Sequence, residues 1–418
     1  MSQNMKTKKT KRYQKIVVEI CRTIVGLVFV FSGFVKAVDP WGFAYKIGEY
    51  LAVWDVSHVS FLAIPVSIGI SVAEFTLGVC LLLGVYRKVV SWLVFLFMCV
   101  MTPLTLYLAV FDPVTDCGCF GDALVITNWQ TFFKNTILII AAFFVLLWYK
   151  QMVRLYSRKQ RSWVVVIVGI FILSISIYCY RYLPILDFRP YKIGNNIPEL
   201  MQIPEGAKPD VYKTTLIYEK EGVQQNFTME NYPREDSEWV FVNSINVLIE
   251  KGDEPRIHDF TIETEAGDDI TDEVLTDSGY TFLLIAHKLE EANDANIANI
   301  HSVYNYALKN GYRFLCLTAS LPVRIDKWRE STGAKYPFCT TDDVTLKTIV
   351  RSNPGLMLIK DGVVINKWSH RRIPSNIDLQ VRLENSHMGV PPTNHDVQKV
   401  VILALLVIVP LLILKRRK

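Results

Sequence analysis

Long apolar runs alternate with short polar segments over the first 183 residues, and another apolar run lies close to the C-terminal end. About 20 consecutive apolar residues are enough for a helix to cross the hydrocarbon core of a bilayer. The sixth run is short and contains Pro410, so it spans only if Lys399 and Lys415 extend towards the headgroups. The pattern predicts six transmembrane helices, at residues 16–37, 61–85, 89–110, 129–149, 163–183 and 400–414.

The segment between the fifth and sixth predicted helices, residues 187–399, is polar, which predicts a separate folded region outside the membrane. Short alternating stretches in its first part are typical of a β-rich extension. In its second part, strand-like runs such as "GYTFLLIAH" and "YRFLCLTAS" alternate with segments of helical spacing, which predicts a layered α/β domain. Predicted turns and helix ends lie at Gly267-Asp268, which joins two short strands, and at Gly311, Gly333 and Asp361-Gly362.

The predicted fold class is a membrane α-helical bundle, with a four-helix core and two further transmembrane helices, that carries an extracytoplasmic α/β domain. The boundaries between the predicted segments follow from the ends of the apolar runs and from the changes to polar composition between them. The predicted segments are a basic tail (1–15), a four-helix membrane domain (16–150), a basic loop with the fifth helix (151–186), the β-rich extension (187–256), the α/β domain (257–386) and a linker with the last helix (387–418).

Lysine and arginine predict the orientation, because short cytoplasmic loops are enriched in them. The segments "MKTKKTKRYQK", "YRK", "YKQMVRLYSRKQRS" and "KRRK" contain no acidic residue and fall on one side of a six-helix bundle. We therefore expect both termini in the cytoplasm and residues 187–399 outside. A cleaved signal peptide is the alternative for the first helix, but the charge alternation requires that helix to remain. The net charge of +5 is modest and the basic residues lie beside apolar runs, which argues against nucleic-acid binding.

The stretch "FDPVTDCGCFGDALV" carries the candidate chemistry, in the predicted outer loop between the third and fourth helices. Two extended residues span roughly 7 Å, so Cys117 and Cys119 form a disulfide only if the chain bends at Gly118. A bond over so short a loop would be strained and exchangeable. A metal site is disfavoured because zinc needs about four ligands and His58 is the one histidine on that side of the membrane part. Two loop cysteines without redox function remain an alternative.

Other cysteines and charges lie inside the apolar runs. Glu74 is near the middle of the second predicted helix, and Arg22 is about two turns into the first. Because charges inside a bilayer are costly, we expect an ion pair between them, with a proton relay or a quinone headgroup contact as the alternative. Lys36 and Glu49 are interpreted as ordinary interfacial residues. Four cysteines are interpreted as small buried hydrophobic residues, namely Cys21, Cys80, Cys99 and Cys179.

Three motifs in the α/β domain are informative, namely "EPRIHDF", "YPFCTTDD" and "RSNPGLMLIKDG". With these motifs the domain resembles the thioredoxin-like fold of membrane-tethered thiol reductases and peroxiredoxins, and the resemblance implies a cis peptide bond at Pro354 beside the active cysteines. This chain departs from the family after "GYTFLLIAH", where "KLEEANDANIANI" contains no cysteine. Without a thiolate there is no nucleophile for exchange, so we expect the fold without that chemistry. Cys316 is interpreted as core, and Cys339 as more exposed.

The membrane part contains a set of residues at characteristic positions, namely Arg22, Gly26, Ser32-Gly33, Lys36, Asp39-Pro40, Glu74, Gly78 and "CGCFG" after the third helix. Through these residues, the segment 16–150 resembles the DoxX and MauE group of four-helix membrane proteins. The resemblance implies a redox-associated integral membrane protein; DoxX relatives are tied to quinol-linked sulfur oxidation, and MauE relatives to the maturation of a disulfide-rich periplasmic enzyme.

Two hypotheses follow. In the first, this is a bacterial inner-membrane protein whose Cys117 and Cys119 form a reversible disulfide and exchange electrons with a periplasmic thiol or disulfide protein, with a quinone as the candidate cofactor. In the second, it is a non-catalytic membrane scaffold that binds partners through a degenerate thioredoxin-like domain. Whether the protein is an enzyme, and its oligomeric state, are left open by the sequence. No metal ligand set is predicted.

Overall fold

The chain folds into a helical membrane bundle and a mixed α/β domain. The computed structural model describes residues 2–114, 116–203, 206, 208, 211–220, 222–228, 231, 238–250, 252, 255–258, 260–393 and 395–416. The first six helices are α1 (Ser2–Val38), α2 (Pro40–Val53), α3 (Ala63–Leu83), α4 (Arg87–Phe111), α5 (Asn128–Leu147) and α6 (Gln160–Arg181).

Two glycines let α1 and α3 pack in direct backbone contact. A Cβ atom on Gly33 would lie 2.4 Å from the Phe75 amide nitrogen, and one on Gly78 would lie 2.8 Å from the Val30 nitrogen. Small residues allow helices in a membrane to approach closely in this way. The two helices run antiparallel, since residues late in α1 contact residues early in α3, and residues early in α1 contact residues late in α3. This register brings the C-terminal end of α1 next to the middle of α3.

Helix α2 was not predicted, because its short apolar stretch "GFAYKIGEYLAV" is too brief to span a bilayer. Two residues define the start of α2. Asp39 is the N-cap, and its carboxylate accepts a hydrogen bond from the Gly42 amide. Pro40 occupies the first helical position, where no amide hydrogen is needed. The helix packs against the start of α3, where Ser67 donates to the Pro40 carbonyl oxygen. It thereby forms one wall of the candidate site.

The outer part contains two sheets. The β-rich extension is a three-stranded antiparallel sheet in the order β2-β1-β3, and the larger sheet has six strands in the order β4-β7-β6-β5-β8-β9. The strands are β1 (Val211–Lys220), β2 (Val223–Thr228), β3 (Val240–Glu250), β4 (Glu263–Thr264), β5 (Tyr280–Ile285), β6 (Arg313–Thr318), β7 (Phe338–Thr340), β8 (Gly355–Lys360) and β9 (Val363–Ser369). The helices are α7 (Ile197–Met201), α8 (Thr271–Leu275), α9 (Ile297–Asn310), α10 (Pro322–Thr332) and α11 (Asp343–Ile349).

The larger sheet has the arrangement of a thioredoxin-like domain. Strands β5, β6 and β7 are parallel, and the hairpin β8–β9 joins them antiparallel to β5. Each face carries its own buried apolar core. All six side chains of β5 are buried, as expected for a central strand covered on both faces.

The predicted helix ends and hairpin turn of this domain are confirmed. Gly311 and Gly333 adopt the left-handed conformation that ends α9 and α10, and Asp361-Gly362 joins β8 to β9. The predicted second strand after Gly267-Asp268 is reduced to a short antiparallel pairing: Asp269 forms a bridge with Glu263, and the Ile270 amide donates to the Ile262 carbonyl oxygen at 2.9 Å. The strand goes no further, because α8 begins at Thr271, whose amide donates to the Asp269 carboxylate at 2.9 Å.

The last helix, α12 (Asp396–Arg416), returns to the membrane bundle. It packs on α6, and Tyr156 donates a hydrogen bond to the Leu411 carbonyl oxygen at 3.0 Å. The described residues thus contain six helices that are long and apolar enough to cross a membrane, as predicted. They are Lys11–Val38, Ser57–Leu83, Arg87–Phe111, Asn128–Leu147, Gln160–Arg181 and Asp396–Arg416.

Candidate redox site at the CGC turn

Cys117 and Cys119 lie in the loop between α4 and α5, on either side of a tight turn. Gly118 at its centre has φ +67°, a left-handed conformation that glycine adopts without steric penalty. The turn brings the two Sγ atoms to 3.0 Å from each other, about 1 Å more than the length of a disulfide bond. The two sulfur atoms are thus in contact, and no bond joins them in this structure.

Two side chains from neighbouring helices hold the turn in place. Tyr50 of α2 donates its hydroxyl to the Cys117 carbonyl oxygen at 2.7 Å. Ser32 of α1 places its Oγ 2.8 Å from the Cys119 carbonyl oxygen. Because the backbone is anchored on both sides of Gly118, the sulfur atoms are kept together without a covalent bond between them.

The surroundings of the two thiols make them unequal. Both are buried. The hydrogen bond from the Cys117 thiol, assisted by the ammonium groups of Lys134 and Lys36, lowers the pKa of Cys119 to about 6 despite its burial. The same hydrogen bond, together with burial, raises the pKa of Cys117 well above its usual value. The arrangement favours one thiolate at Cys119, stabilised by a neighbouring thiol that keeps its proton.

A buried ion pair adjoins the dithiol. Lys36 Nζ lies 2.8 and 2.9 Å from the two carboxylate oxygens of Glu74, and both residues are almost fully buried. Ser32 Oγ lies 2.8 Å from Glu74 Oε2 and accepts a hydrogen bond from Lys36 at 3.1 Å. The hydroxyl of Ser32 therefore connects the ion pair to the backbone of Cys119.

The predicted ion pair between Arg22 and Glu74 is wrong. Arg22 instead pairs with Glu19 at 2.6 Å and donates to the Val153 carbonyl oxygen at 3.1 Å. Arg22 and Lys36 lie 14 positions apart on α1, which is about 21 Å along a helix, and the helix register puts Lys36 opposite Glu74. The interpretation of Lys36 as an interfacial residue is wrong for the same reason.

Lys46 of α2 covers the outer side of the turn. Its ammonium pairs with Asp116 at 3.1 Å and with the more exposed Glu49 at 3.0 Å. A Cβ atom on Gly118 would lie 3.1 Å from Lys46 Cγ, so the methylene groups of Lys46 lie directly over the turn. A molecule that approaches the sulfur atoms from outside therefore meets Lys46 first.

A cleft of about 960 Å³ lies between the CGC turn and the outer domain. Asp116 and Gly118 line it from below, and His287 and Asn353 line it from the outer domain. His287 follows β5, where the thioredoxin-like resemblance places a reactive cysteine. Burial lowers the pKa of His287 to about 4, so its imidazole is neutral at physiological pH. The Asn353–Pro354 peptide bond is cis, the geometry that the resemblance implies.

Arg351 joins the two domains beside this cleft. Its guanidinium binds Asp39, the N-cap of α2, at 2.9 Å, and Asp122, which follows the CGC turn, also at 2.9 Å. Its Nη1 donates to the Lys347 carbonyl oxygen at 2.6 Å. Arg351 is 6% exposed, so these charged hydrogen bonds are largely shielded from water. The edge of the outer domain that precedes the cis-proline is thus fixed over the membrane dithiol.

Comparison with known families agrees with this architecture. Residues 14–148 match the family model of the methylamine utilisation protein MauE. This segment is similar to MauE, and we refer to it below as the MauE-like domain. Residues 212–251, a range that overlaps strands β1, β2 and β3, match the model of a domain of unknown function, DUF8463. The comparison with curated proteins finds no match.

Two solved structures resemble part of the chain. A candidate protein disulfide isomerase from Bacteroides thetaiotaomicron is 16% identical, with 28% of this chain and 77% of that chain covered and a TM-score of 0.21. An uncharacterized conserved protein from Geobacillus kaustophilus is 13% identical, with 32% of this chain and 82% of that chain covered and a TM-score of 0.25.

The cysteines of the outer domain differ from those of the MauE-like domain. Cys316 is fully buried, as predicted, whereas the expectation that Cys339 is more exposed is wrong, because it is 2% exposed. The two belong to the cores on opposite faces of the sheet. Burial raises the pKa of Cys316, and it raises that of Cys339 to about 11. Neither has the features of a reactive thiol.

Several residues of the site were not predicted from the sequence. Tyr50 and Lys46 lie on the unpredicted helix α2, and Arg351 is more than two hundred positions from the CGC turn. Little in the sequence marked Lys36, since a lysine near the end of an apolar helix can extend to the headgroups without a partner. The helix register that pairs Lys36 with Glu74 was not readable from either helix alone.

Proposed function

We propose that the CGC turn of the MauE-like domain is a redox-active dithiol that exchanges electrons with a thiol or disulfide protein on the outer side of the membrane. One observation carries the proposal: two sulfur atoms in contact lie beside a buried lysine and beneath the cleft that the thioredoxin-like domain borders. A structural disulfide over so short a loop would constrain the unfolded chain very little. The geometry therefore supports exchange better than a structural bond.

The exchange follows from the unequal thiols. The Cys119 thiolate attacks one sulfur of a partner disulfide, so that a mixed disulfide forms and the partner's other sulfur leaves as a thiolate. Cys117 then loses its proton and attacks Cys119 Sγ, which closes the CGC disulfide and releases the second partner sulfur. The partner disulfide gains two electrons, and the dithiol loses two electrons and two protons. The reverse sequence oxidises a dithiol partner.

The thioredoxin-like domain supplies the approach to the dithiol rather than a second nucleophile. No cysteine follows β5, and the edge formed by His287 and Asn353 faces the CGC turn across the cleft. Arg351 holds this edge in place through Asp39 and Asp122. In this account the partner enters the cleft, displaces the Lys46 side chain and reaches Cys119. The site is thus composed of residues from both domains.

A quinone remains a hypothesis from the family resemblance. Most of the side chains that line the cleft are charged or polar, which suits a polypeptide better than an isoprenoid quinone. We therefore assign no residues to a quinone and derive no step through it.

We place the protein in a bacterial inner membrane, with both termini in the cytoplasm and residues 187–399 in the periplasm. The four basic segments support this orientation, because they fall on one side of the six-helix bundle. Single cysteines introduced at 150–162 should react with a membrane-impermeant maleimide only after the membrane is opened. Labelling of residues 150–162 in intact cells would show that the proposed orientation is wrong.

Trapping the mixed disulfide tests the proposal. Cys117→Ser removes the resolving thiol, so a covalent adduct with a partner should accumulate on Cys119 and disappear on reduction. Cys119→Ser removes the attacking thiol and should accumulate no such adduct. Cys339→Ser is the matched control, because that thiol is buried in the sheet core. Equal adduct formation by all three variants would contradict the proposed exchange.

The second candidate function is a non-catalytic scaffold that binds a partner through the outer domain. The absence of a cysteine after β5 favours it. In that case Cys117 and Cys119 are bystanders, and their replacement leaves function intact. The redox state of the pair in cells separates the two candidates, since only an exchanging pair responds to removal of the oxidant.

A further inference from the structure

A second cleft, of about 410 Å³, lies where two membrane helices meet the outer domain. The end of α6 contributes Tyr178 and Tyr182, the start of α12 contributes Asp396 and Lys399, and β9 contributes Lys367. Because α6 ends and α12 begins here, the cleft lies at the expected membrane surface on the side of the outer domain. We call it the interfacial pocket.

The Arg372 side chain is held at the interfacial pocket by aromatic rings. Its guanidinium carbon lies 4.3 Å from the centre of the Tyr182 ring and 5.7 Å from the centre of the Tyr178 ring. Such cation–π contacts leave the N–H groups of a guanidinium unused. In the part of the chain that the structure describes, no protein atom accepts a hydrogen bond from Arg372. The guanidinium is thus positioned and can still bind an anion through two oxygen atoms.

Two lysines of the pocket also keep a donor in reserve. Lys367 Nζ donates to Asp187 and to the Tyr191 carbonyl oxygen, both at 3.0 Å. Lys399 Nζ donates to Asp396 at 2.9 Å and to a backbone carbonyl oxygen at 3.2 Å. An ammonium group has three N–H donors, so each lysine retains one for a ligand.

The interfacial pocket is positively charged. Its lysine, arginine and aspartate side chains leave an excess of two positive charges; they are Lys192, Lys367, Arg372, Lys399, Asp187 and Asp396. Asp187 also pairs with Arg189 at 2.7 Å, so its charge is shared between two cations. Burial, together with the repulsion from Arg189, lowers the pKa of Lys367 to about 8. A bound anion would offset this excess.

The remaining walls of the pocket suit the glycerol end of a lipid. They include the apolar side chains of Leu183, Ile193 and Trp368, and tryptophan and tyrosine are typical of the membrane–water interface. Below the pocket, most apolar side chains of α12 are exposed on the surface of the bundle, where acyl chains can cover them. Free phosphate would use neither feature.

We propose that the interfacial pocket binds the headgroup of an anionic phospholipid, with Arg372 bound to two phosphate oxygens and Lys192, Lys367 and Lys399 as further cations. The lipid would join α6, α12 and the outer domain at their common junction. The excess of positive charge favours a headgroup with a net negative charge over a zwitterionic one. The inference goes beyond the redox function of the CGC turn and does not depend on it.

Native mass spectrometry of the full-length protein tests the inference. The protein is released from vesicles that contain equal amounts of phosphatidylglycerol and phosphatidylcholine, and the lipids that remain bound are counted. We expect phosphatidylglycerol to be retained in excess. Arg372→Gln and Lys192→Gln should each lower the ratio of bound phosphatidylglycerol to phosphatidylcholine about fivefold, as expected for the loss of one cation. Arg382→Gln, which alters an exposed arginine outside the pocket, should leave the ratio unchanged.

A second measurement separates a lipid from free phosphate. Delipidated protein in detergent is titrated with phosphatidylglycerol or with inorganic phosphate, and thermal unfolding is followed. We expect a rise in the unfolding midpoint with the lipid alone. An equal rise with inorganic phosphate would show that the pocket binds a free anion and that the proposal is wrong.

Equal retention of the two lipids by the unaltered protein would also overturn the proposal, as would an unchanged ratio in Lys192→Gln and Arg372→Gln. The Lys192 side chain has no ion pair or hydrogen bond with the described residues, so the Lys192→Gln protein should fold even if the Arg372→Gln protein does not. Each of these results leaves the proposed disulfide exchange unaffected.

Discussion

The two domains contain two pairs of cysteines with opposite properties. Cys117 and Cys119 share one turn, with sulfur atoms 3.0 Å apart and a pKa near 6 for Cys119. Cys316 and Cys339 occupy neighbouring strands but face opposite cores of the sheet, and burial raises the pKa of both. All four thiols are buried. Burial alone therefore does not decide which cysteines are reactive.

The difference lies in what accompanies burial. The CGC pair has a hydrogen-bonding thiol and two lysines nearby, whereas the thiols of the outer domain lie among apolar side chains. A thiolate is stabilised in the first setting and disfavoured in the second. In our proposal, the reactive thiols therefore belong to the membrane domain and not to the α/β domain that covers it.

Removal of either CGC cysteine should have the largest effect. Cys117→Ser and Cys119→Ser should each abolish complete turnover, in which both partner sulfurs are released, because the two thiols act as one unit, and the double variant should be no worse than either single one. Protein abundance should barely change. Cys316→Ser and Cys339→Ser are the controls, and they should leave exchange intact. Loss of disulfide exchange in the Cys339→Ser protein would mean that the reactive thiol lies in the α/β domain and not in the CGC turn.

Replacement of Lys36 should have the next largest effect. In the native protein the alkylation rate of Cys119 should rise with pH to half its maximum near pH 6, because the thiolate is the reactive form. Lys36→Met should shift this midpoint upwards by about one unit or more, which slows alkylation at pH 5 by about tenfold. Lys88→Met, at an exposed position on α4, should leave the profile unchanged.

The Lys36→Met variant needs a control for its stability. It leaves Glu74 as an unpaired buried charge, and breaking a buried ion pair lowers the free energy of unfolding by about 3–5 kcal/mol. The double variant Lys36→Met/Glu74→Gln should recover most of this stability while the alkylation midpoint stays high. A double variant with a midpoint near pH 6 would mean that the ion pair has no influence on the thiol.

Loss of Arg351 should have a smaller effect, on access to the site. Arg351→Leu leaves Asp39 and Asp122 without their shared cation, so the outer domain should separate more readily from the CGC turn. We expect alkylation of Cys119 by a bulky maleimide to become several-fold faster. Arg382→Ala, which alters an exposed arginine of the same domain, is the control. Unchanged access would mean that Arg351 does not hold the cleft closed.

Replacement of a helix-contact glycine should have the smallest effect. Gly33→Ala would force α1 away from the Phe75 backbone and should destabilise the bundle by about 1–3 kcal/mol, as overpacking does. Gly69→Ala is the matched control on α3, because no atom lies within 4 Å of its added Cβ position. Thermal unfolding in detergent measures both. Equal unfolding midpoints would show that the helices tolerate the extra methyl group.

The sequence predicted the parts of the structure that depend on local pattern. Six apolar runs gave the membrane helices, the alternation of strands and helices gave the outer domain, and "CGC" marked the candidate dithiol. Glycines at Gly311 and Gly333 marked helix ends because only a left-handed residue closes a helix in that way. Each of these features depends on residues that lie close together in the sequence, within a single helix, strand or turn.

The rest depends on how distant elements meet. Arg22 and Lys36 were both candidates to pair with Glu74, and only the register between α1 and α3 decides between them. Gly33 and Gly78 set that register, but they do so by close backbone contact, which an isolated helix does not reveal. Arg351 lies 229 positions from Asp122, so its role as a link between domains follows from the docking of the domains.

The redox state of the four thiols in native membranes tests the central claim most directly. Membranes that contain the full-length protein are incubated with an oxidant or a reductant, quenched with acid and alkylated, and each cysteine is then quantified by mass spectrometry. We predict that Cys117 and Cys119 are joined in a disulfide under oxidant and alkylated under reductant, whereas Cys316 and Cys339 have the same state in both. If Cys117 and Cys119 are free thiols under both conditions, the account of a redox-active CGC turn is wrong.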